Sequence, residues 1–476
     1  MSTCPKSTVL FIVSLLLFSF STTPGCPAEA KKPESSAVTA ATPGTLLQQA
    51  EAGDPAAQRR LGLAYFQGEG VPKDSALALK WLRAAAEKGD PEAEYSMGVF
   101  NAEGVVLPEN LPEAVRRYRR AAEKGFAAAQ YNLAVCCDNG RGVTQDYKQA
   151  VVWYTKAAEQ GYAPAQFNLG VSYADGQGVS QDYKQAVAWY SKAADQGYAL
   201  AQYNLGDCYY NAKGVPQNYK QAVAWYTKAA EQGFAQAQHN LGFCSANGQG
   251  MPQNYKQAVT WYTKAAEQGL ADAQNNLGQC YKNGLGVPQN YKQAVAWFTQ
   301  AAERGDASAQ HNLALCYENG LGVPQNYKQA VAWYSKAAVQ GLAQAQCNLG
   351  LCYIEGKGVP QDYNQGVAWT TRAAEQGFAQ AQQNLRVFYA DRQDVPQDNY
   401  AEFQRQADQQ RYDDQQRNAA QQRQYEQQRQ AEQQRQAELQ RQAEYKRQQD
   451  QAAAWYQQQQ QQQRQRDQQQ QKQRWP

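Results

Sequence analysis

Cysteine and histidine are the residue types in this chain that could bind a metal ion or form a covalent intermediate. The chain has ten cysteines and two histidines. Six of the cysteines hold one position of a 36-residue period: Cys136, Cys208, Cys244, Cys280, Cys316 and Cys352. Neighbouring helices pack about 8–10 Å apart, whereas the Cα atoms of a disulfide lie within about 7 Å. This spacing argues against disulfides between repeats and favours a small apolar core residue at that position.

The other candidates for catalysis also lack a suitable arrangement. His239 and His311 hold the same repeat position two units apart, roughly 20 Å if units stack at about 10 Å, so they cannot share one metal ion. The sequence has no Ser-His-Asp set, phosphate-binding loop or metal motif. Glutamates such as Glu159 and Glu231 are predicted on a solvated face near a helix end. The sequence therefore predicts no enzyme, no cofactor and no metal site.

A 36-residue internal repeat is the strongest signal in the sequence. Tryptophan recurs with that step at positions 153, 189, 225, 261, 297, 333 and 369. Glycine recurs with the same step from Gly53 to Gly377. Nine full units therefore run from 54 to 377, followed by a degenerate tenth. The net charge of +3 over 476 residues does not favour general binding to nucleic acid or to acidic membranes.

Each unit is predicted to be a helical hairpin. In residues 162–197, Gly176 and Gly178 end the first helix, since glycine tolerates the left-handed conformation. Asp182 caps the second helix, with Gln185 completing a capping box, and Gly197 ends it. One hairpin cannot bury its apolar face alone, so we expect neighbouring hairpins to stack. Trp153 lies at the edge of the buried arc and is predicted to be a packing residue.

Repeat 199–234 carries a recognisable pattern: Ala201-Gln202-Tyr203-Asn204-Leu205-Gly206, then Gly214-Val215-Pro216-Gln217-Asn218-Tyr219, then Ala222 through Trp225 and Tyr226 to Gly233. This pattern resembles the Sel1-like repeat, a relative of the tetratricopeptide repeat. The resemblance implies an all-α fold, a right-handed α/α superhelical solenoid of tandem 36-residue helical hairpins whose first helices line the concave side. Members of the family are usually adaptors that assemble protein complexes.

Some secreted members of the family carry two cysteines per repeat that staple neighbouring hairpins. The equivalent positions here hold Ala157, Ala158 and Ala165. The penicillin-binding activity attached to that subgroup is therefore in doubt for this chain.

The repeats differ mainly on the first helix, where three variable positions form one stripe. We predict that this stripe bears exposed aromatic residues that bind a partner protein, although neutral drift of surface residues explains the variation equally well. The predicted contact residues are Tyr131, Val135, Phe167, Val171, Tyr203, Asp207, His239, Phe243, Asn275, Gln279, His311 and Leu315. The third variable position holds Ala128, Pro164, Leu200, Gln236, Asp272, Ser308 and Gln344.

The two ends of the chain differ in composition from the repeats. Residues 1–30 are predicted to be a signal peptide, with Lys6, an apolar run over 9–20 and a cleavage site at Ala28-Glu29-Ala30. Cys26 is an alternative site of lipid attachment. Residues 31–53 are predicted to be a linker that leads into the array, and 378–400 a degenerate capping repeat. Residues 401–476 form a Gln- and Arg-rich tail, predicted to be disordered or partly helical.

These features together predict an exported protein-binding scaffold. Its location would be the periplasm, the outer envelope or the medium, with the endoplasmic-reticulum lumen as the alternative. The partners would be other proteins or a repetitive envelope polymer, without nucleic acid, and no transmembrane segment would remain after signal removal. Two other functions stay open, an envelope hydrolase or β-lactam-binding enzyme by family analogy, and a passive spacer for the Gln-rich tail.

Overall fold

The computed structural model describes residues 43–390 and the single residue Gln416. These residues form twenty α-helices and no strand. The helices are α1 (Pro43–Glu51), α2 (Pro55–Gln67), α3 (Ser75–Glu87), α4 (Pro91–Glu103), α5 (Leu111–Glu123), α6 (Ala127–Asn139), α7 (Tyr147–Glu159), α8 (Ala163–Asp175), α9 (Tyr183–Asp195), α10 (Ala199–Tyr210), α11 (Tyr219–Glu231), α12 (Ala235–Asn247), α13 (Tyr255–Glu267), α14 (Ala271–Asn283), α15 (Tyr291–Glu303), α16 (Ala307–Asn319), α17 (Tyr327–Val339), α18 (Ala343–Glu355), α19 (Tyr363–Glu375) and α20 (Ala379–Ala390).

The described helices fall into two compact units, α1 to α9 and α10 to α20. In the first unit, each of α1 to α8 packs against the next helix in the chain. The second unit repeats this arrangement from α10 to α20. Within each unit the first and second helices of a repeat alternate, which is the architecture that the 36-residue period predicts. The predicted all-α array of tandem hairpins is confirmed.

Polar caps set the helix boundaries. The carboxylate of Asp182 accepts hydrogen bonds from the backbone amides of Lys184 and Gln185 at the start of α9. Asp54 and Asp90 cap α2 and α4 in the same way, each followed by proline at the first helical position. These caps satisfy amides that have no partner inside the helix. The start predicted for α9 at Asp182 is therefore confirmed.

Glycine permits the turn inside each hairpin to pack against the preceding repeat. Gly176 ends α8 in the left-handed conformation, with φ 71°. Gly178, with φ +74°, lies directly on the carbonyl of Tyr147 at the start of α7, where a Cβ atom would collide with the backbone. This contact holds the turn of one repeat on the second helix of the repeat before it.

The core lies between the two helices of a hairpin and the helices of its neighbour. Leu169 and Ala165 of α8 are almost fully buried. A Cβ atom at Gly170 would lie 2.7 Å from the ring of Tyr190, so glycine there makes room for that aromatic ring. Trp153 is buried, with 8% of its surface exposed, and the Nζ atom of Lys156 lies 4.1 Å from its ring centroid. The packing role predicted for this tryptophan is confirmed.

Several predicted segments lie outside the described residues. These are the signal peptide over 1–30 with Cys26, most of the linker over 31–53, the end of the capping repeat and the tail over 401–476 apart from Gln416. Helix α1 occupies the end of the predicted linker and packs against α2. Within the described part of the chain, no helix has the length and apolar character needed to cross a membrane.

Candidate protein-interaction surface

The first variable position of the stripe is recessed, contrary to prediction. Tyr131 is only 5% exposed and Phe167 only 6%. The Tyr131 ring centroid lies 6.0 Å from that of Tyr154 in its own hairpin and 5.4 Å from that of Tyr162 in the next repeat. Phe167 makes the equivalent contacts with Tyr190 and Tyr198. The prediction that these aromatics are exposed is wrong, because the aromatic residue at the start of the following first helix covers them.

The same position in the second unit is also recessed, and here it is more polar. Tyr203, His239 and His311 are half-buried, and Asn275 is 7% exposed. His239, Asn275 and His311 each form a hydrogen bond with an asparagine of the following first helix. Asn276 donates to His239 Nε2 at 2.9 Å, Asn312 to Asn275 Oδ1 at 2.9 Å and Asn348 to His311 Nε2 at 3.2 Å. These residues therefore form a seam between neighbouring first helices, and their exposure was wrongly predicted as well.

Burial keeps the two histidines of this seam neutral. Desolvation lowers the pKa of His239, partly opposed by Asp272, and lowers the pKa of His311 to about 4, with Lys282 acting in the same direction. A neutral ring can accept the asparagine N–H at Nε2, which agrees with the observed bonds. Both histidines thus act as hydrogen-bond acceptors in a packed seam.

The second and third variable positions form the outer surface of the first helices. In the second unit, Phe243 is 40% exposed and Gln279 is exposed, whereas Leu315 is half-buried. In the first unit Val135 and Val171 are half-buried. The third position is exposed at Gln236, Asp272, Ser308 and Gln344, and half-buried at Ala128, Pro164 and Leu200. We call the exposed set Gln236, Phe243, Asp272, Gln279, Ser308 and Gln344 the outer first-helix surface.

Asp207 is a member of the predicted stripe that serves the interior. Its Oδ1 accepts a hydrogen bond from the Tyr226 hydroxyl at 2.6 Å, and Asn240 Nδ2 lies 3.4 Å away. Burial raises the pKa of Asp207 above its usual value, and the nearby carboxylate together with burial raises the pKa of Tyr226. This acid is therefore engaged in a hairpin contact and does not point to catalysis.

A ladder of buried glutamines, which was not predicted from the sequence, joins successive repeats. Gln130 is 4% exposed; its Nε2 donates to the Ala122 carbonyl at the end of α5, at 3.1 Å. Its Oε1 accepts from Gln160 Nε2 at 2.7 Å. Gln166 bonds to Ala158 and Gln196 in the same way. Each glutamine gives a carbonyl at a helix end, such as that of Ala122, a second donor besides the backbone amide of Gly125. The signal in the sequence was a glutamine that recurs beside the variable stripe in every repeat except one, where Glu94 replaces it.

The cysteines contribute to the core. All eight cysteines within residues 43–390 are buried and free. Burial raises the pKa of the thiols of Cys136, Cys208, Cys244 and Cys280 to about 11, so the reactive thiolate is scarce at neutral pH. The predicted role as small core residues is confirmed. Among the described residues, no group of three or more His, Cys, Asp or Glu side chains is placed to hold a metal ion.

Comparison with protein families identifies the repeat. The Sel1 repeat model matches nine consecutive units: 55–90, 91–126, 127–162, 163–198, 199–234, 235–270, 271–306, 307–342 and 343–378. This chain belongs to the Sel1 repeat family. The nine units agree with the number counted from the tryptophan and glycine periods. Sel1 repeat proteins are generally non-catalytic scaffolds that bind other proteins.

Solved structures include other Sel1 repeat proteins. A Sel1 repeat protein from Oxalobacter formigenes is 36% identical, with a TM-score of 0.52, and the match covers 65% of this chain and 90% of that one. A protective antigen with an SLR fold from uropathogenic Escherichia coli is 35% identical over 77% of this chain and 92% of that one, with a TM-score of 0.36. No curated protein matches this chain. The first of these structures supports the Sel1 fold.

Proposed function

We propose that this Sel1 repeat protein is an exported scaffold that binds a partner protein along the first helices of its repeats. The observation that carries the proposal is the outer first-helix surface. The residues of this surface differ from repeat to repeat, and one of them, Phe243, is a large exposed aromatic residue. From α7 onward, the second helices keep nearly the same residues. Exposed aromatics surrounded by polar residues are typical anchors of protein interfaces.

The recessed residues of the stripe have an indirect part in this proposal. Tyr131, Phe167 and Tyr203 would fix the spacing of the first helices, while Phe243 and Gln279 would touch the partner. The twelve predicted contact residues therefore divide into those that shape the surface and those that contact the ligand. Alanine at the recessed aromatics would disturb packing, so these residues are unsuitable probes of binding.

Affinity capture from the native host tests the proposed face. The bait is the full chain, beside a variant with Gln236→Ala, Phe243→Ala and Gln279→Ala. The matched control is Val339→Ala, because Val339 is 75% exposed at the end of the second helix α17 in the same unit. We expect the triple variant to lose at least 30-fold in affinity, as for a central aromatic anchor worth about 2 kcal/mol, and the control to retain binding. Equal capture by all three proteins would overturn the proposed face.

Export rests on residues 1–30 and has its own test. Mass spectrometry of the protein from its native host should find a chain that begins after Ala30, in a periplasmic, envelope or secreted fraction. A lipid-modified chain that begins at Cys26 would select the envelope-anchored alternative. A cytoplasmic chain that retains residues 1–30 would contradict export.

A further inference from the structure

The second helices of the first two repeats carry basic residues at two positions where the later repeats have uncharged residues. Lys80 and Arg83 of α3 and Arg116 and Arg119 of α5 are all exposed. We propose that these four residues, the α3/α5 basic patch, bind the headgroups of an anionic phospholipid surface. This goes beyond the proposed protein-binding function, which uses the first helices of the other unit.

The four side chains share one face of the first unit. Lys80 and Arg83 are three residues apart on one helix, as are Arg116 and Arg119, so each pair lies on one side of its helix. The Lys124 Nζ atom donates to the carbonyl of Gly89 at 2.5 Å, which joins the end of α5 to the turn after α3. Since 36 residues separate the two pairs, the repeat places them at matching heights on neighbouring second helices.

The positive charge of the patch is poorly neutralised within the protein. Neither Arg83 nor Arg119 makes an ion pair with any residue in the described range, although Glu87 and Glu123 follow one turn later on the same helices. Arg116 is the exception, because its Nε and Nη2 atoms both donate to the Glu113 carboxylate, at 2.7 and 2.6 Å, although its side chain remains 53% exposed. The Lys80 Nζ atom lies 5.1 Å from the Trp81 ring centroid. The guanidinium groups of Arg83 and Arg119, which make no ion pair, can bind phosphate oxygens.

The repeat fold does not require these charges. In the next repeats the position of Lys80 and Arg116 holds Val152 and Ala188. The position of Arg83 and Arg119 holds threonine or serine in all seven following units: Thr155, Ser191, Thr227, Thr263, Thr299, Ser335 and Thr371. Like charges on neighbouring helices repel one another, so their presence at two successive repeats calls for an external anion.

The apolar residue beside the patch favours a lipid surface over an acidic polypeptide. Val152 of α7 continues the row of Lys80 and Arg116, and 46% of its surface is exposed. A face that presents cations next to an exposed aliphatic side chain suits the boundary between phospholipid headgroups and acyl chains.

Vesicle co-sedimentation tests the proposal. The protein is purified from its native host, so that all variants share one N-terminus, and is mixed with vesicles of phosphatidylglycerol and phosphatidylcholine or of phosphatidylcholine alone. The patch variant combines Lys80→Ala, Arg83→Thr, Arg116→Ala and Arg119→Thr, which are residues that the chain itself uses at these positions. The charge-matched control replaces four exposed lysines of the second unit: Lys220→Ala, Lys256→Ala, Lys292→Ala and Lys328→Ala.

We expect the wild type and the control to bind the anionic vesicles more tightly than the neutral ones. Each basic residue at an anionic surface contributes about fivefold, so the patch variant should lose several-hundredfold in partitioning. Binding should weaken as salt rises. A second variant, Arg83→Lys with Arg119→Lys, keeps the charge and should keep most of the binding.

Three results would overturn the proposal. The first is equal binding of the patch variant and the wild type to anionic vesicles. The second is an equal loss in the control, which would assign binding to net charge alone. The third is binding of the wild type to polyglutamate but not to anionic vesicles, which would assign the patch to an acidic polypeptide.

Discussion

Residues 91–126 and residues 127–162 are neighbouring repeats that place different chemistry at the same positions. In the second of them, Gln130 bonds to Gln160 and Lys156 lies over Trp153. The corresponding residues in the first are Glu94, Lys124, Arg120 and Arg117.

The earlier repeat is joined by charges. Arg117 donates to Glu94 Oε2 at 2.9 Å and Arg120 to Oε1 at 3.2 Å, while Glu94 itself is only 4% exposed. One hairpin is thus held by an ion network and its neighbour by neutral amides. The difference teaches that these positions on two helices change together, because a single change would leave a buried polar group without its partner.

Removal of the buried carboxylate should have the largest effect. Glu94→Ala should destabilise its hairpin by about 3 kcal/mol, because it leaves Arg117 and Arg120 without their shared acceptor. Gln130→Ala should cost about 2 kcal/mol through the lost bonds to Ala122 and Gln160. Amide hydrogen exchange in α5 and α7 measures these effects locally, which suits an array whose repeats open separately. If Glu94→Ala and Gln130→Ala lowered the protection of the amides from exchange equally, the ion network and the neutral amides would contribute the same stability.

Low pH should protonate His311, which places a positive charge in the neutral seam between neighbouring first helices. The pKa of His311 is about 4 in the folded protein and about 6.5 in an unfolded chain. The unfolded state therefore binds more protons between these values, and stability should fall as pH drops from 6.5 towards 4, by roughly 2 kcal/mol.

A denaturation series between pH 7 and pH 4 measures this loss. His311→Asn, which copies Asn275 at the equivalent position, should flatten the profile. An unchanged profile in that variant would show that His311 does not contribute.

Replacement of the ion pair between Glu94 and Arg117 by the neutral residues of the next repeat should be tolerated when both residues change together. Glu94→Gln combined with Arg117→Trp copies residues 127–162 and should be at least about 1 kcal/mol more stable than the sum of the single changes predicts. A double-mutant cycle by urea denaturation gives this coupling energy. Simple additivity would mean that the two positions are independent.

Arg304 breaks the amide ladder in the second unit and allows a repair. It stands where Gln268 and Gln340 stand in the flanking repeats, and Gln274 Oε1 is buried without a hydrogen-bond partner. Arg304→Gln should supply the missing donor and stabilise repeat 271–306 by about 1 kcal/mol. Thermal denaturation measures the gain, and Gln268→Arg should cause a loss of similar size in the preceding repeat.

The smallest effect should come from a backbone conformation. Ala212 has φ 58° at the position that Gly248 holds in the next repeat with φ 69°. Ala212→Gly should stabilise the protein by about 0.5 kcal/mol, since relief of strain exceeds the greater freedom of the unfolded chain. The reverse change, Gly248→Ala, should destabilise by about 1 kcal/mol in the same assay. A gain of stability in Gly248→Ala would contradict this account.

The hairpins could be predicted because their signals are local. Asp182 and Gly176 act within a few residues along the chain, and the 36-residue period requires only the sequence itself. The core role of the cysteines followed from the same helical geometry. These features depend on the backbone, which every repeat shares.

The surface was harder to predict because it depends on the neighbouring hairpin. A helical wheel places Tyr131 outside its own hairpin but takes no account of Tyr162, which precedes the next first helix and covers the Tyr131 ring. Aromatic residues at the starts of successive first helices, Phe126, Tyr162, Tyr198 and Phe234, were the available signal. Gln130 was missed for a related reason, since its acceptor is the end of a helix in the preceding repeat.

The glutamine ladder also bears on how such an array can change its length. At the boundary between residues 162 and 163, Gln166 meets Ala158, and Gln130 meets Ala122 one repeat earlier. A further copy of the same 36 residues inserted there would offer the same donor on one side and the same carbonyl on the other. Duplication would leave no buried group unpaired, so unequal recombination could lengthen this part of the gene without any compensating substitution. A copy of residues 91–126 would carry its ion network within itself, yet its Glu94 would offer no amide to the carbonyl at the end of the preceding repeat. The amide-linked repeats are therefore the ones suited to multiplication.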